Sequence, residues 1–317
     1  MVKVGGIVVV LAIVQALLAW VLLDTFHAQE PHDVPVALVG EGPPVAGIGQ
    51  VLDRDGFEVT RVKSGGAGRK LLAERKVYGV YAPRAASGRL LVAGAASPAV
   101  ADLLRSRARA IDSNRGVKTD PTDIRPLPLA DRAGVSAYWL AFVAAHAGVL
   151  AGWLLELVAP SVRRGWKATL LRVGLLLVVA VGSGALMAFI ATQVDVYPDD
   201  FLVVAGALAL TLLGAATVST FLTSALGGVA GGAVALLVFP VVGVLVTSGG
   251  MTAPELLPEL WTTIGIGLPG QSSVELIRNL VYFDSEAIAM PLIVLGAYAV
   301  GGIVLMLALS PFRRLRS

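Results

Sequence analysis

The chain has 317 residues, of which 56% are hydrophobic and 15% are charged, and its mean hydropathy is +0.78. These values are typical of an integral membrane protein, and a formal net charge of +3 gives no reason to expect nucleic-acid binding. The complete lack of cysteine excludes disulfides, thiol nucleophiles and cysteine-ligated metals.

Six apolar runs are long enough to cross the hydrocarbon core of a bilayer, which needs about 20 residues in a helix. They cover residues 4–23, 135–158, 170–193, 201–222, 228–248 and 290–309. The first run is longer than the apolar part of a secretory signal, so it predicts an uncleaved anchor. A cleaved signal with a small-residue site around Ala28 is the alternative.

The charges in the short loops predict the orientation of these spans. Arg163, Arg164 and Lys167 lie between the second and third spans, and three further arginines follow the sixth span. Because positive loops stay in the cytoplasm, both termini are predicted to be cytoplasmic. We therefore expect a multi-pass protein of a bacterial inner or plasma membrane, with the acidic loops 194–200 and 249–289 on the outer side.

The polar block at residues 24–133 predicts an extracytoplasmic α/β domain inserted between the first and second spans. Its alternating segments predict strands at 34–40, 57–62, 77–82, 89–95 and about 124–129, and helices at 44–55, 68–76 and 98–111. Ser97 and Pro98 are typical of an N-cap and first helical position. The expected architecture is a small sheet with its helices on one side, followed by a five-helix transmembrane domain over residues 134–317.

Sequence motifs give little support for an enzyme. The glycine-rich segment 65–70 lacks the spacing and hydroxyl of a phosphate-binding loop, and the segment 265–270 has no preceding strand and contains Pro269. His27 and His32 lie beside Asp33, but surface histidines near acids rarely bind metal. We expect no catalytic residues, cofactor or metal site; a membrane enzyme remains an alternative that would need an unusual constellation.

Two polar residues inside the predicted second span are candidates for a transport pathway, because polar groups are costly there. His146 lies near the middle of the span, where it either bonds a hydroxyl on a neighbouring helix or lines a polar path. Glu156 lies near the cytoplasmic end, where it either belongs to the path or pairs with Arg163 or Arg164. In the fifth span, Pro240 predicts a kink, and glycine pairs at 227/231 and 228/232 predict close helix contacts.

The outer hairpin at residues 249–289 carries a family resemblance. The proline-rich segment 251–270 and the amphipathic segment 274–283 resemble the hairpin between the fifth and sixth spans of the ABC transporter type-2 permease superfamily. The segments 77–83, 127–129 with Asp131, and 136–139 are similar to the branch that includes the YhgE/Pip and DUF3533 membrane proteins. The hairpin residues that carry amphipathic faces or interfacial side chains are Leu256, Leu260, Trp261, Ile264, Pro269, Leu276, Arg278, Leu280 and Tyr282.

This resemblance implies a homodimeric, permease-like subunit that exports lipids or other amphiphilic or hydrophobic solutes. A separate cytoplasmic ATPase would supply the energy and would contact Arg163, Arg164 and Lys167 in the loop 160–168. The alternative is a non-transporting scaffold or assembly factor of an envelope or secretion machine, whose outer domain binds a partner.

Overall fold

The computed structural model describes residues 15–26, 30–160 and 165–310. Five of its helices are long and apolar enough to cross a membrane: Ser136–Val158 (α5), Trp166–Gln193 (α6), Phe201–Leu226 (α7), Gly228–Val246 (α8) and Ala289–Leu309 (α11). The first predicted span is described only in part, as the shorter apolar helix Gln15–Phe26 (α1). Residues 4–14 of that run lie outside the described residues, so the sixth span stays a prediction.

The polar block, called the outer domain after its predicted side of the membrane, folds into a five-stranded mixed sheet with the order β2-β1-β3-β4-β5. The strands are Val34–Val39, Phe57–Val62, Gly79–Pro83, Ser87–Val92 and Lys118–Asp123, in chain order. β3 and β4 pair antiparallel, whereas the other neighbours pair parallel. Crossover helices connect the parallel strands, as the geometry of parallel pairing requires.

The three helices of this domain lie on both faces of the sheet, so the prediction that they share one side is wrong. Pro43–Arg54 (α2) and Pro98–Asn114 (α4) pack with one face, whose core contains Val36 and Leu90. Gly65–Ala73 (α3) packs on the opposite face through Leu72 and begins earlier than predicted. The inner strands are apolar on both faces, a pattern typical of a sheet covered on two sides.

The last strand is also misplaced in the sequence prediction. β5 is the polar segment Lys118–Asp123 at the sheet edge, and residues 129–131 form a single 3₁₀ turn instead of a strand. An edge strand keeps one side in solvent, so it needs no apolar alternation and tolerates Pro121. Pro126 and Pro128 prevent regular pairing farther along the chain.

Helix α7 lies at the centre of the membrane bundle and contacts α5, α6, α8 and α11. Glycines on the neighbouring helices permit this close approach: a Cβ added at Gly152 would lie 2.2 Å from Ala216 O, and one at Gly184 would lie 2.6 Å from Ala205 O. Backbones can therefore pack against α7 without intervening side chains, which is how helices associate in lipid.

The fifth span is irregular where Pro240 was predicted to kink it. Residues Leu237–Val246 form a wide π-helical segment around Pro240, which cannot donate a backbone hydrogen bond. Three of the four predicted glycines make close contacts within the protomer, whereas Gly227 has open space around it. A Cβ at Gly231 would meet Leu222 O at 2.3 Å, and one at Gly232 would meet the Trp153 ring at 2.1 Å. These glycines join α8 to α7 and α5.

Between α8 and α11, Glu259–Ile266 (α9) and Pro269–Tyr282 (α10) form a hairpin that packs within the bundle. The carbonyl of Gly267, in the turn, accepts a 2.9 Å hydrogen bond from the Tyr298 hydroxyl. Tyr298 lies nine residues after Ala289, the start of α11, which is about 14 Å along a helix. The turn of the hairpin therefore lies beside the middle of α11, the 21-residue helix Ala289–Leu309.

Candidate functional site

His146 lies on the border between the buried and exposed sides of α5. Helical periodicity places it between buried Ala145 and Val149 on one side and exposed Val143 and Leu150 on the other. Its Nδ1 is 3.0 Å from the Phe142 carbonyl oxygen, a local contact in which the imidazole must donate. The backbone bond satisfies one ring nitrogen, and a role for His146 in transport stays a prediction.

Glu156 is buried at the end of α5 and interacts electrostatically with Arg172, on α6. The Arg172 guanidinium also donates to the carbonyl oxygens of Leu155 and Ala159. The last carbonyls of a helix have no partner within that helix, so Arg172 acts as a C-terminal cap supplied by the neighbouring helix. Glu156 therefore belongs to a buried ionic cluster that ties the ends of α5 and α6 together.

The predicted cytoplasmic coupling surface is described only at one residue. Arg163 and Arg164 lie outside the described residues. Lys167 is exposed near the start of α6, with its ammonium 5.6 Å from the centre of the exposed Trp166 ring. Exposed tryptophan and lysine at a helix end are typical of a membrane interface.

The predicted hairpin residues divide into exposed and buried groups. Leu260 and Ile264, on α9, are exposed, which suits an interfacial helix. Leu280 and Tyr282 are half-buried, and the remaining predicted residues are buried: Leu256, Trp261, Pro269, Leu276 and Arg278. Helix α10 is therefore a packing element inside the protein, because α7, α8 and α11 surround it.

Two polar or glycine contacts hold α10 in the bundle. Ser273 Oγ lies 2.7 Å from Thr211 Oγ1 in α7, which satisfies both buried hydroxyls. At the other contact, a Cβ on Gly270 would lie 1.7 Å from Gly243 O in α8, so only glycine fits there. The hairpin is thus fixed against two different spans.

Arg278 joins the outer domain to the membrane bundle. It is only 5% exposed, and its guanidinium donates to Gly134 O at 2.8 Å and Gly250 O at 3.0 Å. Longer bonds reach Gly249 O at 3.3 Å and Ala96 O at 3.4 Å. These carbonyls belong to the outer domain, the segment before α5 and the segment after α8, so one side chain connects three parts of the fold.

The surroundings of Arg278 lower the pKa of its guanidinium. Burial is the main cause, and the nearby positive charge of Arg75 adds to it. The four carbonyl dipoles compensate for the lost hydration, since a buried charge must be hydrogen-bonded. Arginine suits this position because its planar guanidinium carries several donors and can bond to several carbonyls at once.

A cavity of about 240 Å³ lies next to this junction, between the outer domain and the hairpin. Its polar lining comes from separate parts of the chain: Arg75, Tyr78, Glu255, Glu275 and Asn279. Pro35, Val77, Ala96, Ala287, Met290 and Pro291 complete the wall. Met290 and Pro291 begin α11, so the cavity adjoins the outer end of a membrane span.

The cavity concentrates charged and polar groups. The Tyr78 hydroxyl donates a 2.9 Å hydrogen bond to Glu255 Oε2. Burial, reinforced by the negative charge of Glu275 and opposed by Arg75 and the hydrogen bonds, raises the pKa of Glu255. Burial likewise raises the pKa of Tyr78 well above its ordinary value. Both shifts have burial as their main cause.

The glycine-rich segment singled out in the sequence forms the start of α3, capped by Ser64. It borders an open groove of about 520 Å³ on the outer domain, which exposed Arg69, Arg84 and Arg89 also line. Among the residues that the structure describes, no group of three or more histidine or acidic side chains is arranged to hold a metal ion.

Several of these residues were not singled out from the sequence. Arg172 had a detectable signal, because it is the single charged residue within the otherwise apolar stretch 168–193. Arg75, Glu255 and Glu275 had none, since they lie far apart in the sequence and meet only in the folded chain.

Comparisons with known proteins add no family to these observations. No family model matches the chain, and neither the curated proteins nor the solved structures give a significant match.

Proposed function

We propose that this protein is a permease-like subunit of a membrane exporter that moves lipids or other amphiphilic or hydrophobic solutes. The observation that carries the proposal is the hairpin α9–α10 between α8 and α11, whose turn bonds to Tyr298 in the middle of α11 and whose second helix is joined to the outer domain by Arg278. In the proposed topology this hairpin is re-entrant and lies between the fifth and sixth spans. This is the position of the hairpin in the type-2 ABC permeases that the sequence resembles.

The packing of the bundle favours an amphiphilic solute over a hydrophilic one. Hydroxyls on the central helix α7 bond to backbone carbonyls: Thr217 to Leu213 O at 3.0 Å, Ser219 to Val149 O at 2.9 Å and Thr220 to Ala216 O at 2.8 Å. These groups serve helix packing instead of lining a water-filled path. An amphiphile can instead move along the outer surface of a protomer, or between two protomers, with its tail in lipid.

The export proposal includes a homodimer and a separate cytoplasmic ATPase, and it assigns no catalytic residue to this chain. The ionic cluster of Glu156 and Arg172 fixes the ends of α5 and α6. A stiff pair of helix ends would transmit movement from a partner bound at the loop 160–168. His146 remains a proposed pathway residue, at the border between the buried and exposed sides of α5.

Copurification tests this proposal. The protein is isolated from its native membrane in mild detergent, and associated proteins are identified and quantified by mass spectrometry. We expect a stoichiometric ATPase that is lost when Arg163, Arg164 and Lys167 are changed to alanine. The matched control is Lys63→Ala on the exposed outer domain, which should leave the association intact.

The second candidate function is a membrane scaffold, which the groove on the outer domain favours. Its three exposed arginines, Arg69, Arg84 and Arg89, suit an acidic surface of a partner protein. Recovery of an envelope or secretion component, with no ATPase and with loss on changing these arginines, would support the scaffold and contradict export.

A further inference from the structure

Two residues that line the cavity between the outer domain and the hairpin carry a buried polar atom, one an acceptor and one a donor, with no hydrogen-bond partner among the described residues. Asn279 is only 2% exposed; its Nδ2 donates to Ala287 O at 3.1 Å, but its Oδ1 accepts no hydrogen bond among the described residues. Arg75 Nη1 is likewise buried without an acceptor in the described part of the chain. Such orphaned groups are costly in a folded protein, and a bound molecule is one way to satisfy them.

The two orphaned atoms call for opposite chemistry. Oδ1 of Asn279 is an acceptor and needs a donor, whereas Nη1 of Arg75 is a cationic donor and suits an anion. The Asn279 amide orientation follows from its bond to Ala287 O, because only the amide nitrogen can donate to a carbonyl. A ligand that satisfies both atoms therefore carries a donor at one end and an anionic group at the other.

The charges of the cavity wall favour a cationic donor. Glu255 and Glu275 supply two carboxylates against the single guanidinium of Arg75, so the wall has a net charge of −1 with all three ionised. Gln271 occupies only Glu275 Oε1, through a 3.1 Å bond, and Tyr78 occupies only Glu255 Oε2. The cavity thus has acceptor capacity for the several hydrogens of an ammonium group.

Arg75 is held in place by contacts that leave its guanidinium available to a ligand. Its central carbon lies 4.9 Å from the centre of the Phe283 ring and 6.0 Å from that of Tyr78. Its backbone has a φ of 61°, at the position after α3 where glycine is usual. An arginine in this conformation carries a backbone cost.

The size and position of the cavity indicate what kind of molecule carries these groups. A volume of about 240 Å³ is below the roughly 300–1,000 Å³ of pockets that enclose a drug-sized ligand, so it suits a small head group. Met290, which lines it, is 60% exposed at the start of α11. A ligand can therefore place its head group in the cavity while an acyl tail runs along the outer surface of α11.

We propose that this cavity binds a zwitterionic head group with a primary ammonium and a phosphate, as in phosphoethanolamine. The ammonium lies against Glu255, Glu275 and Asn279 Oδ1, and the phosphate lies against Arg75. This inference rests on the proposed export function, because it names the head-group class of the exported amphiphile.

Lipid binding to the purified protein tests the assignment without any partner. Native mass spectrometry in detergent measures adducts with phosphatidylethanolamine, phosphatidylcholine and phosphatidylglycerol of the same acyl chains. We expect phosphatidylethanolamine to bind at least about tenfold more tightly than either of the others, because they lack the ammonium hydrogens. Free phosphoethanolamine is tested in parallel by its effect on thermal unfolding.

Substitutions locate the two halves of the site. Glu275→Gln should remove the preference for phosphatidylethanolamine over phosphatidylcholine. Arg75→Gln should weaken both lipids by about tenfold and keep the preference between them. Lys76→Gln is the matched control, because Lys76 is the exposed neighbour of Arg75 and pairs with Glu74. Each variant is first checked for wild-type elution and unfolding temperature, so that loss of binding is not loss of fold.

The outcomes separate the source of the ligand from the proposal itself. Binding of the lipid alone assigns the site to a membrane amphiphile, and stabilisation by free phosphoethanolamine as well assigns it to the shared head group. Equal binding of all three lipids would overturn the proposal. So would a preference for phosphatidylethanolamine that Glu275→Gln retains along with Arg75→Gln. A failure of ATPase copurification with retained lipid preference would contradict export while leaving the site intact.

Discussion

Replacing Arg278 with methionine tests whether one side chain joins the outer domain to the membrane bundle. Methionine keeps an unbranched side chain about as long as the aliphatic stem of arginine but removes the charge and all donors. The two shorter bonds, to Gly134 O and Gly250 O, are each worth about 1.5–3 kcal/mol as charge-assisted hydrogen bonds, or roughly 3–6 kcal/mol together. Relief of the buried charge returns part of this, so we expect a net loss of about 2–4 kcal/mol in unfolding free energy.

The conservative change should not rescue the junction. Arg278→Lys keeps a buried charge, but a compact ammonium cannot reach carbonyls in three separate segments. We therefore expect it to be at least as destabilising as Arg278→Met. Thermal unfolding in one detergent, followed by near-ultraviolet circular dichroism, measures both variants, and a loss of 2–4 kcal/mol corresponds to a decrease of roughly 4–16 °C.

Arg109→Met is the matched control, because Arg109 is exposed on α4. It should change the unfolding temperature little, as surface substitutions usually stay within about 0.5 kcal/mol. Wild-type stability of Arg278→Lys would refute the reasoning, because the fork of donors would then be unnecessary. An equal effect of the Arg109 control would show that loss of any arginine is responsible.

Three further changes test other parts of the structure by the same unfolding measurement. Burial raises the pKa of Glu255 in the folded protein, so folding favours its protonated form. The stability of the wild type relative to Glu255→Gln should therefore increase as the pH falls towards 4.5 and be lost as the pH rises through the raised pKa. A stability difference that does not depend on pH would contradict this. Gly270→Ala should destabilise by at least about 1–3 kcal/mol, because its Cβ would collide with Gly243 O, whereas Gly296→Ala has open space and should be tolerated; equal effects would argue against the close contact. Asp131→Ala should cost about 1 kcal/mol, because its carboxylate accepts from backbone nitrogens at the start of α5, and an unchanged unfolding temperature would exclude this capping role.

The elements that follow a regular pattern could be predicted from the sequence. The spans at 135–158 and 290–309 agree with α5 and α11 within a residue, because continuous apolar runs have one stable form in lipid. Strands β1 and β2 and the helix capped by Ser97 also agree, since alternation and capping residues are local signals.

The elements determined by tertiary contacts could not be predicted in this way. β5 has no apolar alternation, because its place at the sheet edge comes from pairing with β4. The amphipathic pattern of α10 indicated an interfacial helix, yet α10 buries both Leu276 and Arg278 within the protein. The acceptors of Arg278 are backbone carbonyls, which every residue has, so no residue type in the sequence marks them as its partners.

The cavity shows the same limit for the candidate site. Arg75 and Glu255 are separated by 180 positions in the sequence, and neither belongs to a recognisable motif. The sequence left Glu156 either on a transport path or paired with Arg163 or Arg164, which lie outside the described residues, and the structure places it beside Arg172. The sequence pattern identified Glu156 as a polar residue that is costly inside a span. Its partner Arg172 became evident only from the packing of α5 against α6.

The most direct test of the re-entrant arrangement is cysteine accessibility in intact cells, for which the cysteine-free chain is a natural background. Three single variants are compared with a membrane-impermeant maleimide: Ser113→Cys on the outer domain, Gly267→Cys in the hairpin turn and Lys167→Cys at the start of α6. The account predicts rapid labelling of Ser113→Cys, slow labelling of Gly267→Cys, and labelling of Lys167→Cys only after permeabilisation. Labelling of Lys167→Cys in intact cells, or equal rates for the other two variants, would contradict it.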